Sequence, residues 1–254
     1  MNPATLFLAV VLVLAQRAAS PTAELPPPDP QSGEALAEKL RAAVPVEKTQ
    51  FSGVLKVRDR EGHTTVIPVT CQVLPGEPTW KVIYEVPSTN SRPAEKLIII
   101  HSTNGPNQYL YAKAAKAGEP PGDAVALKPD EIAAPLAGTD FWLLDLGLDF
   151  FHWPTQRLVK TEMRKGRVCQ VLESTRPNPP PGAYARVVSW LDKETGGPLL
   201  AEAYDRQGKL MKEFSIKSLK KVDGRWELEE MEIRDVGKRS RTRLEFSFPE
   251  AQAR

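Results

Sequence analysis

The feature that most constrains this chain is a run of five segments of alternating polarity in its last third, over residues 184–192, 198–204, 209–219, 226–234 and 240–248. The connections are short and each carries glycine: Lys193-Glu194-Thr195-Gly196-Gly197, Asp205-Arg206-Gln207-Gly208, Val222-Asp223-Gly224-Arg225 and a loop at Gly237. Turns this short join only antiparallel neighbours. In the last segment Leu244, Phe246 and Phe248 share one face and Arg243 and Glu245 the other. In the fourth, Leu228 is out of phase with Met231 and Ile233, so a β-bulge is predicted at Glu229-Glu230. One apolar and one charged face on many consecutive strands implies a sheet wet outside and dry inside. A sheet of this size curls or splits rather than staying flat.

The upstream sequence extends this pattern. Residues 51–58 and 64–74 flank the turn Asp59-Arg60-Glu61-Gly62 as a hairpin, and 80–86, 96–101 and 107–113 read as further strands. Residues 157–164 and 167–174 flank the tight turn Lys165-Gly166. Before the first strand, Leu36, Leu40, Ala43 and Val44 recur at helical spacing, with Ser32 as a candidate cap and Pro45 as the stop. The fold class expected from the residues is mainly β: an antiparallel sheet of roughly ten strands that curls around a dry inside. The N-terminal helix and a short lid helix would occupy its concave face.

That lid is predicted from the middle of the chain. Phe141, Trp142, Leu143, Leu144, Leu146, Leu148, Phe150, Phe151 and Trp153 are too crowded and too apolar for a solvated loop. Asp140 or Thr139 is placed to cap a short helix, whose length Gly147 and Pro154 limit. Such a segment either plugs an ordinary core or covers an apolar cavity.

At the N-terminus, residues 6–15 read LFLAVVLVLA. Ten apolar residues are half of the roughly 20 a membrane span needs, and suit the apolar core of a secretory signal. A signal peptide is expected over residues 1–23, a Pro-rich linker over 24–33, one folded domain over 34–249 and a tail over 250–254. An uncleaved membrane anchor is the alternative. Export makes a Cys71–Cys169 disulfide possible, and two buried thiols are the other reading.

The net charge is +2, with 34 basic and 32 acidic residues, so nucleic acid is not an expected partner. The three histidines, His63, His101 and His152, stand far apart, and the chain has no zinc-protease helix, Cys-x-x-Cys pair, phosphate loop or nucleophile elbow. No catalytic residue, metal ligand or cofactor is expected. His152, beside the lid, is the one histidine singled out for a functional role. The basic stretch Lys238, Arg239, Arg241 and Arg243 suits anionic lipid headgroups or an acidic partner, or else protects an edge strand from aggregation.

The C-terminal third also resembles a known family. Trp190-Leu191-Asp192, Pro198-Leu199, Tyr204-Asp205-Arg206-Gln207-Gly208-Lys209, Val222-Asp223-Gly224-Arg225-Trp226 and Met231 follow the order found in LolA-like outer-membrane lipoprotein-sorting proteins. Gly138-Thr139-Asp140-Phe141 with Asp145-Leu146, and Phe51-Ser52-Gly53, are similar to upstream motifs of the same family. The resemblance implies a strongly curved, incompletely closed antiparallel β-barrel of about ten or eleven strands with helices in its concave face, and a periplasmic, monomeric carrier that is not an enzyme. It would hold lipoprotein acyl chains or another lipid for transport toward the outer membrane, with an inner-membrane exporter as a possible partner. The expected lipid-binding set is Phe51, Trp80, Leu97, Phe141, Trp142, Leu146, Phe150, Trp190, Phe214 and Phe246. The alternative is a non-catalytic envelope scaffold or exporter-associated protein-binding module.

Overall fold

A computed structural model describes residues 30–222 and 225–248. The expected signal peptide, most of the linker and the C-terminal tail lie outside the described residues.

The chain opens on α1 (Pro30–Arg41). This helix starts two residues before the expected Ser32 cap. Proline suits a first helical turn, where its missing N–H has no partner to lose. Strands β1 (Thr49–Arg58), β2 (Thr64–Leu74), β3 (Thr79–Val86), β4 (Glu95–Ser102), β5 (Gln108–Lys113) and the short β6 (Val125–Ala126) follow. The chain then passes through a 3-10 turn (Leu136–Gly138), the single-turn helix α2 (Leu143–Leu146) and a second 3-10 turn (Asp149–His152). Strands β7 (Thr155–Arg164), β8 (Arg167–Thr175), β9 (Arg186–Asp192), β10 (Pro198–Tyr204), β11 (Leu210–Val222), β12 (Arg225–Asp235) and β13 (Ser240–Ser247) complete it.

Among the described residues these thirteen strands make one antiparallel sheet, ordered β6-β5-β4-β3-β2-β1-β13-β12-β11-β10-β9-β8-β7. The open, curved antiparallel architecture agrees with expectation, and the strand count is higher. Strand β6, in a stretch without alternation, was not foreseen. The topology has a consequence for residues 127–154. The first six strands run outward from β1 to the β6 edge, and the last seven run inward from the β7 edge to β13, which pairs with β1. Residues 127–154 must therefore travel from one edge of the sheet to the other, and they do so across its inner face.

The predicted bulge is present. Ser218 pairs with Glu230 and Leu219 with Leu228, leaving Glu229 over. The extra residue brings Leu228, Met231 and Ile233 all into the core. Cys71 on β2 and Cys169 on β8 are buried free thiols, and β1, β13, β12, β11, β10 and β9 lie between their strands. Among the described residues no helix is long and apolar enough to cross a membrane.

Candidate functional site: the concave face and its crossing segment

The dry face of the sheet and the crossing segment share one core. It joins Leu55, Val69, Val82, Leu97 and Ile99 from the first meander with Leu172, Val187, Leu191, Ile233 and Leu244 from the second. Between them lie Leu136, Phe141, Leu143, Leu144, Leu146, Phe150, Phe151 and Trp153. The last three are about 5% exposed, so the aromatic cluster is inserted rather than laid on a surface.

Apolar contact alone does not position this segment, because hydrogen bonds reach it from many parts of the fold. From β13, Ser240 and Thr242 donate to the Asp140 carboxylate at 2.5 and 2.8 Å, and the Asp140 N–H donates back to Thr242 Oγ1 at 2.9 Å. From β11, Lys212 Nζ donates to the Asp140 carbonyl at 2.6 Å and lies 3.5 Å from Asp145 Oδ2. Just before β5, Asn107 Nδ2 donates to the Gly147 carbonyl at 2.8 Å. From β7, Gln156 Nε2 donates to the carbonyls of Phe150 and Trp153, with Ser174 Oγ donating to its Oε1. From α1, Arg41 Nη1 donates to the Phe151 carbonyl at 2.7 Å.

Neither Thr139 nor Asp140 caps α2. Trp142 occupies that position, and Asp145 Oδ2 reaches back to accept from its N–H at 2.8 Å. Asp140 instead fastens the approach to the helix. Lys212 Nζ sits 3.8 Å from the centre of the Trp142 ring, which stacks on Tyr184 at 4.7 Å. The Tyr184 hydroxyl donates to Asp145 at 3.3 Å. Burial pushes the Lys212 ammonium down and the Asp145 carboxyl up from their ordinary values, each opposed by the other's charge. Lys212 is in phase with Phe214 and Ile216, so a charge on the apolar side of β11 was the one sequence signal for this node. Asn107, Gln156 and Arg41 gave none.

Two backbone features fit the chain to this path. Leu148 holds φ +47°, a left-handed conformation unfavourable for leucine, at the bend between α2 and the second 3-10 turn. Gly147, just before it, packs so tightly on Tyr109 that a Cβ would overlap the phenolic hydroxyl.

Of the ten residues expected to bind lipid, nine belong to this core or pack against it. Trp80, Leu97, Phe141, Leu146, Phe150 and Phe246 are buried, while Phe51, Trp142 and Phe214 are half-buried. Phe51 meets Phe246 and Phe248 edge to face. Trp190 corrects the inward assignment. It packs with Cys169, Val171 and Leu199 in a separate cluster, its Nε1 donates to Glu162 at 2.5 Å, and Arg164 covers its ring. Its neighbour Leu191 takes the inward place.

Small cavities lie against the crossing segment. An apolar cavity of about 30 Å³ lies among Leu148, Phe150, Val187, Ala201, Phe214 and Ile233. A second of about 30 Å³ lies among Leu40, Arg41, Trp80, His101, Phe151 and His152. Each has room for about one or two waters. Beside the second, His101 stacks on Trp80 at 3.9 Å. Burial, with some help from His152, pushes the His101 imidazole down to about 3. Burial and the Arg41 guanidinium push His152 down to about 4. Both rings are neutral at ordinary pH. His63 lies elsewhere, exposed and 3.1 Å from Asp59.

The fold is shared with several solved structures. A putative outer membrane lipoprotein-sorting protein domain from Vibrio parahaemolyticus matches with a TM-score of 0.70 at 19% identity, over 87% of this chain and 92% of that one. A DUF1329 family protein from Desulfovibrio piger matches with a TM-score of 0.69 at 19% identity, over 86% and 92%. A LolA superfamily protein from Nitrosomonas europaea matches with a TM-score of 0.58 at 17% identity, over 86% and 91%. No curated protein matches the chain. A family model described as "Uncharacterized protein" matches residues 94–253, more than half of the sequence. The chain thus belongs to the family that this model describes, and the fold it carries is LolA-like.

Proposed function

We propose that this protein is a non-catalytic carrier that holds acyl chains, of lipoproteins or of other lipids, in the concave side of the sheet, gated by residues 139–153. The periplasm is the compartment this reading requires, and an inner-membrane exporter is a fitting partner. The observation that carries it is the construction of the inner face. One connecting segment covers an apolar surface that spans the sheet, and discrete hydrogen bonds fasten it there. Likeness in fold to a lipoprotein-sorting domain and to a LolA superfamily protein supports the same reading.

The energetics favour long chains. Moving Phe150, Phe151 and Trp153 into water costs about 1.5–3 kcal/mol each. Burying an acyl chain returns about 0.8 kcal/mol per methylene. A chain of roughly a dozen methylenes or more therefore offsets displacement of the aromatic cluster, and a short one does not. Of the expected set, the strand residues Phe51, Trp80, Leu97, Phe214 and Phe246 would line the opened site, Phe141, Trp142, Leu146 and Phe150 would belong to the gate, and Trp190 would do neither.

The test is titration with saturated fatty acids of graded length against a fluorescent fatty-acid probe, with mass spectrometry of lipid extracted from protein purified from the cell envelope. Co-purified lipid and displacement that sets in only for long chains support the carrier. Lipid-free protein that binds no chain length counts against it. The small size of the cavities beside the crossing segment, about 30 Å³ each, favours a second reading, an envelope scaffold that binds a protein partner, which that outcome would support.

A further inference from the structure

The topology removes one explanation for the basic stretch near the C-terminus. Strand β13 lies in the middle of the sheet, paired with β1 on one side and β12 on the other. The edges of the sheet belong to β6 and β7. Charges on β13 therefore do not serve to block edge-to-edge pairing.

Their arrangement is itself unfavourable. Arg241 pairs in register with Arg58 on β1 and with Arg234 on β12. Thr242, Leu244 and Phe246 point into the core, so Arg241 and its two partners stand on the outer face. Three arginines thus occupy directly opposite positions on adjacent strands about 4.8 Å apart. Like charges so placed destabilise a sheet. The next row along the strands is balanced: Lys56 meets Glu245 at 2.6 Å, and Arg243 meets Glu232 at 2.7 Å.

The arginine row is not balanced in the same way. Arg234 has Glu213 at 3.2 Å, and Arg241 reaches Glu232 only at 4.0 Å. Arg58 has no ion pair among the described residues. Arg239, in the β12–β13 turn, is exposed and holds φ +56°, a conformation that costs arginine strain and would cost glycine none. Arg58, Arg234, Arg239 and Arg241 line an open groove of about 400 Å³ with Ser240. Of the two carboxylates there, Asp59 bonds to His63, and Glu232 lies closer to Arg243 and Lys217 than to Arg241.

We propose that this groove docks the protein on a bilayer surface rich in anionic phospholipid, with the guanidinium groups taking headgroup phosphates. Guanidinium forks match phosphate oxygens in pairs. The groove is broad and shallow and spans two neighbouring turns, which suits an array of headgroups better than one enclosed anion. It lies on the outer face, so docking is independent of whether the interior binds acyl chains.

The test is co-sedimentation of the full chain with phosphatidylcholine vesicles, with and without phosphatidylglycerol. Arg58→Gln/Arg239→Gln/Arg241→Gln is compared with Lys39→Gln/Lys81→Gln/Lys116→Gln, which removes equal charge from exposed positions elsewhere. Binding is expected only to the anionic vesicles. It should fall at least about tenfold in the arginine variant and in about 0.5 M salt, and persist in the lysine variant. A melting temperature at or above that of the parent confirms that the arginine variant is folded. Equal binding to both vesicles, or an equal loss in both variants, overturns the proposal. So does abolition by millimolar inorganic phosphate, which would mark a single-anion site. Arginine-dependent retention on a polyglutamate resin without vesicle binding would assign the groove to an acidic polypeptide instead.

Discussion

Arg41, the last residue of α1, donates from Nη1 to the main-chain carbonyl of Phe151 at 2.7 Å, although the two lie 110 positions apart. The same guanidinium holds Glu34 at 3.1 Å. One side chain thus ties the helix to the aromatic part of the crossing segment, at the edge where both meet β7. Breaking this contact leaves the core contacts of Phe150 and Phe151 in place, so it should free the segment without unfolding the sheet.

Arg41→Leu is accordingly expected to lower stability by about 1.5–3 kcal/mol, the usual worth of a hydrogen bond to a charged group. It should raise binding of an apolar dye or a fluorescent fatty acid at unchanged far-ultraviolet circular dichroism. Unchanged dye binding at reduced stability would make the contact purely structural.

The helix is held even more closely at its other end. A Cβ on Gly33 would lie 2.6 Å from the Arg157 Cα, the Gln156 carbonyl oxygen and the Leu158 nitrogen. All three are backbone atoms of β7, so no rotamer change relieves the overlap. Gly33→Ala should cost about 1–3 kcal/mol, measured by urea unfolding. It should also loosen Arg41, so dye binding would rise as in Arg41→Leu. A neutral Gly33→Ala would mean that α1 is not seated on β7.

Much of this was legible where physics acts locally. Alternation of Leu244 and Phe246 with Arg243 and Glu245 revealed the two faces, and the phase break at Leu228 revealed the bulge. Two neighbouring apolar residues, Trp190 and Leu191, defeated the same argument, since period two cannot choose between them. Pairing of β1 with β13 joins residues nearly two hundred positions apart, and no local pattern records it. The crossing segment was recognisable from its aromatic density, but its anchors were not. Asn107, Gln156 and Arg41 are ordinary polar residues until the fold brings a main-chain carbonyl to each.

The two cysteines make a separate prediction. Burial pushes the Cys71 thiol up to about 12 and raises the Cys169 thiol above its ordinary value. Thiolate is the reactive form, so neither should react with a disulfide reagent in the folded protein. Two thiols per chain should titrate in denaturant, and reductant should leave the melting temperature unchanged. A reductant-sensitive melt would contradict the free thiols.

The histidines set the response to acid. His101 is held neutral by burial, its value pushed from an ordinary 6.5 down to about 3. Between these limits the unfolded chain takes up a proton that the folded chain refuses, so stability falls as pH drops from about 6.5 toward 3. Above 6.5 the contribution is complete. His152, pushed down to about 4 and facing Arg41, adds loss of the same sign over a narrower window. Protonating His101 buries an unsolvated charge, and protonating His152 sets a cation against the Arg41 guanidinium, where the helix and the crossing segment meet. Acid should therefore weaken that junction, and dye binding should rise in the pH range where the melting temperature falls. His101→Phe keeps a ring over Trp80 and removes the titration, so its melting temperature should decline less between pH 6.5 and 4 than the parent's. A parallel decline in the two proteins would show that His101 does not drive the acid loss.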